Sequence, residues 1–308
     1  MFQYTDLQTD LVYFSKFFAL RFPEIFSVSK TNLEANGIEV RTLGGCFNIW
    51  IRDFAPVQVS ENLIQFSYKG YSANGVDVGY DQYPWLQIPQ KCFDELNVFK
   101  KILPCPIVLD GGGIIRSRTK SVITQKVFLD NPGMTEEAVI KGLQNILQTD
   151  IIIIPAEPHD QLGHADGICK FVDETMILVN DYRSNEQLAG EWFQYADTIE
   201  EVFNKAGLSV VRMPYAYEAC PQPDEKEFYE KYPLADDLNP AVGYYINFLL
   251  TKNVILTPVF GGDLAEKDEQ AIATLRKWYP CHSVVAINSR ELAMEGGLQN
   301  CITANYVK

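Results

Sequence analysis

Hydrophobic and polar positions along the chain fall into a repeating order. Four stretches run or alternate apolar on either side of a short polar turn, the mark of a β-hairpin: PVQVSENLIQFSY (56–68), GIIRSRTKSVIT (113–124), ICKFVDETMILVN (168–180) and YINFLLTKNVILTPVF (245–260). Each is followed by a segment of helical spacing and then by a short apolar strand. The last unit is the clearest: LAEKDEQAIATLRKWY leads to SVVAIN, with Asp263 expected to cap the helix and Pro280 to stop it. The third runs through SNEQLAGEWFQYADTIEEVFNKAG to LSVVRMP, and the second through TEEAVIKGLQNILQ to IIIIP. The first is weaker, with QKCFDELNVFKKI before PIVL. The N-terminal part supplies LVYFS, a helical KFFALRFPEIFSVSKTNLEAN and IEVRTL, one strand short of a unit, and the tail CITANYV can supply that strand.

The pattern therefore predicts an α/β fold of five hairpin–helix–strand units, the first closed by the last strand. Units set around an axis, with both chain ends pairing in one blade, form a ring without sheet edges. The alternative on pattern alone is an ordinary open α/β sheet. Residues 1–308 are read as one domain.

The segments after the final strand of each unit hold an unusual share of polar residues and glycines: GGCFNIWIRDFAP, DGGGI, AEPHDQLGHADG and SRELAMEGGLQNC. In a radial fold they converge on one end of a central channel. They offer a thiol, two of the three histidines of the chain (His159 and His164, the third being His282) and several carboxylates. His164 stands two residues before Asp166, so in an extended segment both side chains point to one face. Each feature alone has an ordinary reading: a surface His–x–Asp pair, a turn at DGGG, a buried Trp beside an Arg–Asp ion pair in WIRD, a core-filling cysteine. Their joint occurrence at equivalent positions of different units is what calls for a shared site.

Composition narrows the chemistry. At 308 residues the chain buries enough surface to need no disulfide or metal staple. No apolar run approaches the ~20 residues of a membrane span. The start lacks a basic segment followed by an apolar one, so no signal peptide is expected. Seven cysteines without paired spacing point to a reducing compartment, and hence to a cytoplasmic location. The net charge of −14, without a Lys/Arg-rich run, argues against nucleic acid and against an anionic membrane, and suits a small cationic substrate. Absence of CxxC or HxxxH pairing argues against a metal, and nothing asks for another cofactor. A cysteine, a histidine and several carboxylates then fit a guanidinium, which carboxylates grip with paired, charge-assisted hydrogen bonds. Held that way, its central carbon keeps positive character and is open to a thiolate whose pKa a nearby cation lowers.

The stretches NIWIRDFAPVQ, LDGGGI, GHADGICKF, YYINFLLTKNVILTPVFGG and EGGLQNCIT resemble, in order and over nearly the whole chain, the motifs of the agmatine deiminase and bacterial peptidylarginine deiminase family. These are penteins, guanidine-modifying enzymes that fold as five-bladed pseudo-symmetric α/β propellers. The resemblance implies that Cys301 is the nucleophile forming a thiouronium intermediate, and that His164 protonates departing ammonia and then activates water. It implies that Asp53 and Asp166 grip the guanidinium and that Asp110 orients His164. Trp50 is placed either beside the substrate stem or in the core, and Arg52 as a structural ion-pair partner. The chain departs from the family at Leu298, Asn300, Gly167 and Asn48, and has Asp110 where Glu is usual. No catalytic participant is lost, but agmatine as the particular substrate is weakened. A Pro-rich linker, 215–243, is expected to cover the channel mouth and to set specificity.

The expected activity is hydrolysis of a guanidino compound to ammonia and a ureido product, with agmatine giving N-carbamoylputrescine as the default. Arginine, a methylarginine or peptidyl-arginine are alternative substrates; amidino transfer and a non-catalytic binding pentein are alternative functions. A homo-oligomer is left open.

Overall fold

The structure, a computed structural model, describes residues 3–45, 48–68, 72–73, 76–77, 96, 101–158, 160, 162–185, 188–216 and 240–308. Most of the helix expected over 90–102, residues 90–95 and 97–100, and the core of the 215–243 linker, residues 217–239, lie outside the described residues, while Ile102 opens a strand.

Alternation of apolar side chains produces five three-stranded sheets of one design. The second sheet pairs Val57–Val59, Asn62–Ser67 and Ile102–Val108, and the third pairs Ile114–Arg116, Lys120–Thr124 and Asp150–Ile154. The fourth joins Cys169–Phe171, Met176–Asn180 and Ser209–Met213, and the fifth Leu249–Leu250, Val254–Val259 and Ser283–Asn288. In each the middle strand is antiparallel to the first and parallel to the third. All four hairpins read from the sequence are present. In the first sheet Thr303–Tyr306 takes the place of the hairpin's opening strand. It runs antiparallel to Leu11–Ser15, which is in turn parallel to Glu39–Leu43, with Leu11 opposite Tyr306 and Phe14 opposite Thr303. The expected ring of five α/β units, closed by the last strand, is the observed architecture.

Parallel pairing needs a crossover, and in the four sheets whose crossovers hold described helices those helices provide it. Glu136–Leu147 buries Val139, Leu143 and Leu147, spaced four residues apart, and Thr135 caps it by accepting the Ala138 N–H. Glu191–Lys205 turns Trp192, Tyr195, Ala196, Ile199 and Phe203 to its sheet. Full burial of such side chains stabilises the blade by roughly 1.5–3 kcal/mol each.

Two details differ from expectation. The N-terminal helical stretch is two helices, Lys16–Arg21 and Pro23–Ala35, because a residue before proline is driven out of the α region and Phe22 sits at φ −123°, ψ 62°. Asp263 lies in a short turn ahead of Ala265–Trp278 and makes no capping bond. That tie is made by Asp268, whose carboxylate receives the N–H groups of Phe260 and Gly261. The helix does stop at Trp278, two residues before Pro280. Among the described residues no helix is long and apolar enough to cross a membrane.

Candidate active site

Four inter-blade segments bring the expected residues together. His164 and Asp110 are each an extended residue immediately before a single-turn helix, Ala165–Gly167 and Gly111–Gly113 respectively. They meet across the channel mouth, His164 Nε2 lying 3.0 Å from Asp110 Oδ2, so the shorter Asp side chain does reach the ring. The other ring nitrogen, Nδ1, is 3.7 Å from Asp53 Oδ1. Asp53 comes from the turn Ile51–Phe54 and is held by the Gly112 N–H at 3.3 Å. Cys301 Sγ lies 3.4 Å from Asn247 Oδ1 and 3.7 Å from Asp166 Oδ2.

Blade pseudo-symmetry explains how these groups come to converge on one glycine. Gly112 is the middle residue of its turn, as Asp166 is of the equivalent turn. A Cβ on Gly112 would stand 2.8 Å from Asp53 Oδ1, 2.8 Å from His164 Nδ1 and 3.3 Å from Asp166 Oδ2. Two carboxylates and the imidazole therefore close over Gly112 too tightly for any side chain to fit between them. The glycine pair before the nucleophile has a different cause. Gly296 adopts φ +89°, and a Cβ on Gly297 would come within 2.5 Å of the Trp50 ring. Trp50 is 3% exposed and packs with Ile49, Cys301 and Ile302, the core position rather than the substrate-stem position.

Electrostatics sort the protons. Burial by itself lowers the His164 pKa, but Asp53, Asp110 and Asp166 outweigh it and hold the imidazole at about 10, protonated at neutral pH. The Cys301 thiol is pushed well up by burial, by Asp166 and by Asp53. The resting pair is thus thiol and imidazolium, and a cation seated between the carboxylates offsets the charges that keep the thiol protonated.

Sequence reading missed the layer behind these residues. Asn247 bonds both the Cys301 sulfur and, through Nδ2 at 3.4 Å, the Asp166 carbonyl. Asn300 Nδ2 donates to Asp166 Oδ2 at 2.7 Å. Arg52, expected in an ion pair, donates to the carbonyl and Oδ1 of Asn300 and to Asn305 Oδ1. The available signal was a lone polar residue in each apolar strand context, Asn247 in INFLL and Lys170 in ICKFV.

Beside His164, Asp160 accepts the backbone N–H groups of Leu162 and His164. Glu157 is 4% exposed and receives the Tyr244 hydroxyl at 2.8 Å. Burial first, then the Asp160 charge, push its carboxyl up to about 8. The folded protein therefore holds a proton on Glu157 that the unfolded chain, with an ordinary carboxyl, has already released. That contribution is complete below about pH 4.5 and is lost as pH rises through about 8. Glu157→Gln, a permanent mimic of the neutral acid, is expected to match the wild type in Tm at pH 4.5 and to exceed it by several degrees at pH 8.5. A pH-independent Tm difference would show that Glu157 is not held neutral.

Five α/β blades in a closed ring, with thiol, imidazole and carboxylates at one mouth of the channel, define the pentein class. The chain belongs to the Porphyromonas-type peptidyl-arginine deiminase family, which it matches over residues 26–306. It is 28% identical over 280 residues to an agmatine deiminase of Ectopseudomonas mendocina, covering 82% of this chain and 73% of that one. The solved agmatine deiminase of Enterococcus faecalis superimposes with a TM-score of 0.73 at 16% identity, covering 100% of this chain and 96% of that one. A DDAH from Pseudomonas aeruginosa complexed with citrulline has a TM-score of 0.55 at 10% identity, covering 97% and 100%.

Proposed function

We propose that this protein is a guanidine deiminase that works through Cys301, with agmatine as its default substrate. The observation that carries the reading is the convergence of Asp53, Asp166 and His164 on Gly112, with the Cys301 sulfur beside Asp166. Asp53 and Asp166 hold the planar cation by its nitrogens. Its charge compensates the two carboxylates that oppose thiol ionisation, so the thiol releases its proton to solvent when substrate is in place. The sulfur attacks the guanidinium carbon, forming the C–S bond. The C–N bond then breaks as the His164 imidazolium, backed by Asp110, gives its proton to the departing amine, which leaves as ammonia. The neutral imidazole next takes a proton from water as the water oxygen adds to the thiouronium carbon. The C–S bond then breaks as the hydroxyl proton passes to the sulfur, which frees the ureido product and restores the Cys301 thiol.

Two features favour agmatine over a guanidine ending in a carboxylate. Relatives matched over most of the chain are named agmatine deiminases. The carboxyls next to His164, Asp160 and Glu157, suit a far end that is cationic or neutral.

The test is ammonia release from agmatine, arginine, a dimethylated arginine and an arginyl peptide, with Cys301→Ala as control. Release from agmatine, lost in the variant, is the expected result. Preference for another guanidine would keep the mechanism and replace the substrate, and an amidinated amine in place of ammonia would assign the chain to amidino transfer. No product from any of them, together with no labelling of Cys301 by a haloacetamidine, would overturn the enzymatic reading.

A further inference from the structure

Lys170 is the middle residue of the strand Cys169–Phe171. Strand alternation turns Cys169 and Phe171 into the blade core and sends Lys170 the other way, towards the channel. The side chain is 1% exposed. Its Nζ donates to the Phe248 carbonyl at 3.1 Å and to Asn300 Oδ1 at 3.0 Å, with Asp6 Oδ2 at 3.7 Å. Burying an ammonium costs more than burying an apolar side chain of the same volume, so stability of the strand does not account for the choice.

What Lys170 touches does account for it. Asn300 Oδ1 accepts from Lys170 Nζ and from Arg52 Nη2, the latter at 3.3 Å. Two cations on one amide oxygen forbid the flipped amide, which would press its N–H groups against them. The amide nitrogen therefore faces Asp166 and donates to Oδ2, the same oxygen that stands 3.7 Å from Cys301 Sγ. Cys301 is the next residue of the chain.

We propose that Lys170 is a positioning residue for the reaction: from the channel side it locks the Asn300 amide, which aims Asp166 at the substrate, and it keeps a positive charge behind the Cys301 sulfur. The substrate side of this inference rests on the deiminase reading above; its thiol side does not. The charged groups that face Cys301 are then Asp166 and Asp53, which oppose its ionisation, His164 across the mouth, and Lys170 with Arg52 behind Asn300, partly neutralised by Asp6. Consistently, the ammonium of Lys170 is coupled favourably to both Asp166 and Cys301.

The test uses Lys170→Met, Asn300→Ala and the double variant, with rates normalised to protein of wild-type circular dichroism. Two measurements are made: kcat/KM on agmatine, and the pH dependence of Cys301 alkylation by iodoacetamide, followed by mass spectrometry of the Cys301 peptide because Cys281 is also exposed. Lys170→Met is expected to lower kcat/KM at least about tenfold and to move the alkylation midpoint up by about one pH unit. The double variant is expected to be no worse in kcat/KM than the worse single one, because the two residues act in one relay. Wild-type kcat/KM and an unmoved midpoint in Lys170→Met would overturn the proposal; if that variant does not fold, the same result in Asn300→Ala would do so. Alkylation by iodoacetamide needs no guanidine. A wild type that releases no ammonia therefore refutes the function alone, and the midpoint still decides the thiol side of the role of Lys170.

Discussion

Asp166→Asn is expected to lower kcat/KM on a guanidine by about a hundred- to a thousand-fold and, in the same protein, to speed alkylation of Cys301 by an uncharged reagent. The two effects have one origin. Asp166 is 1% exposed and its Oδ2 lies 3.7 Å from the Cys301 sulfur, where its charge opposes formation of the thiolate. An amide of the same shape removes that charge, so at pH 7.5 a larger fraction of Cys301 is ionised, and iodoacetamide reacts several-fold faster. The same exchange deletes one of the two carboxylates available to the substrate cation. Losing one member of a buried, hydrogen-bonded charge pair is typically worth 2–5 kcal/mol, the source of the expected range. The Asn300 N–H bond at 2.7 Å can be kept by the new amide oxygen, so the fold should persist. Parallel losses in both reactions would mean that Asp166 acts only by shaping the site, and the electrostatic account would fail.

Gly112→Ala is the second large effect, and it is steric. The residue has no positive φ, so its backbone tolerates a side chain. What the site does not tolerate is the methyl, which would lie 2.8 Å from both Asp53 Oδ1 and His164 Nδ1. Overpacking of this kind costs about 1–3 kcal/mol of stability, which a protein of this size survives. To admit the methyl, however, Asp53 and His164 must leave the positions from which they grip the cation and deliver the proton, and kcat/KM is expected to fall at least about a hundredfold. Gly113→Ala is the matched control. Its new methyl would meet only Leu109 Cδ1 at 3.1 Å, a side-chain end able to move, and activity should change little. Equal losses in the two variants would show that the turn needs glycines for its own sake and that the placing of Asp53 and His164 against Gly112 is not what the reaction depends on.

Comparing these residues shows where sequence reasoning carries and where it stops. The hairpins were legible because a period of two is written locally, in runs such as ICKFVDETMILVN. Strand closure by the tail was legible because the first unit lacked a strand. The split at Phe22 was available in Pro23 and lost to the longer apolar pattern around it. Cys301, His164, Asp53, Asp110 and Asp166 could be selected as candidates because they stand in the polar, glycine-rich segments at equivalent places of the blades and in the motifs that carry the family resemblance. Asn247, Asn300 and Lys170 could not, because an amide or an ammonium beside apolar residues gives no sign of what it faces from another blade. Nor could the close approach to Gly112 be read, since DGGG looks like any turn until the opposing Asp53 and His164 are in place.

The pairing of Thr303–Tyr306 with Leu11–Ser15 has a further consequence, for the order in which the protein becomes competent. Four blades are built from neighbouring stretches of sequence, but this one is a seam, fastened by hydrogen bonds between strands far apart in the chain. Cys301 sits two residues before the seam. Until it closes, the carboxylates of the other blades can gather at the channel mouth with no sulfur facing them, and if it opens, the thiol is withdrawn while the remaining sheets stay paired. Competence therefore hangs on this seam, and a copy in which it stands open presents no thiol to the carboxylates, whatever the state of its other sheets.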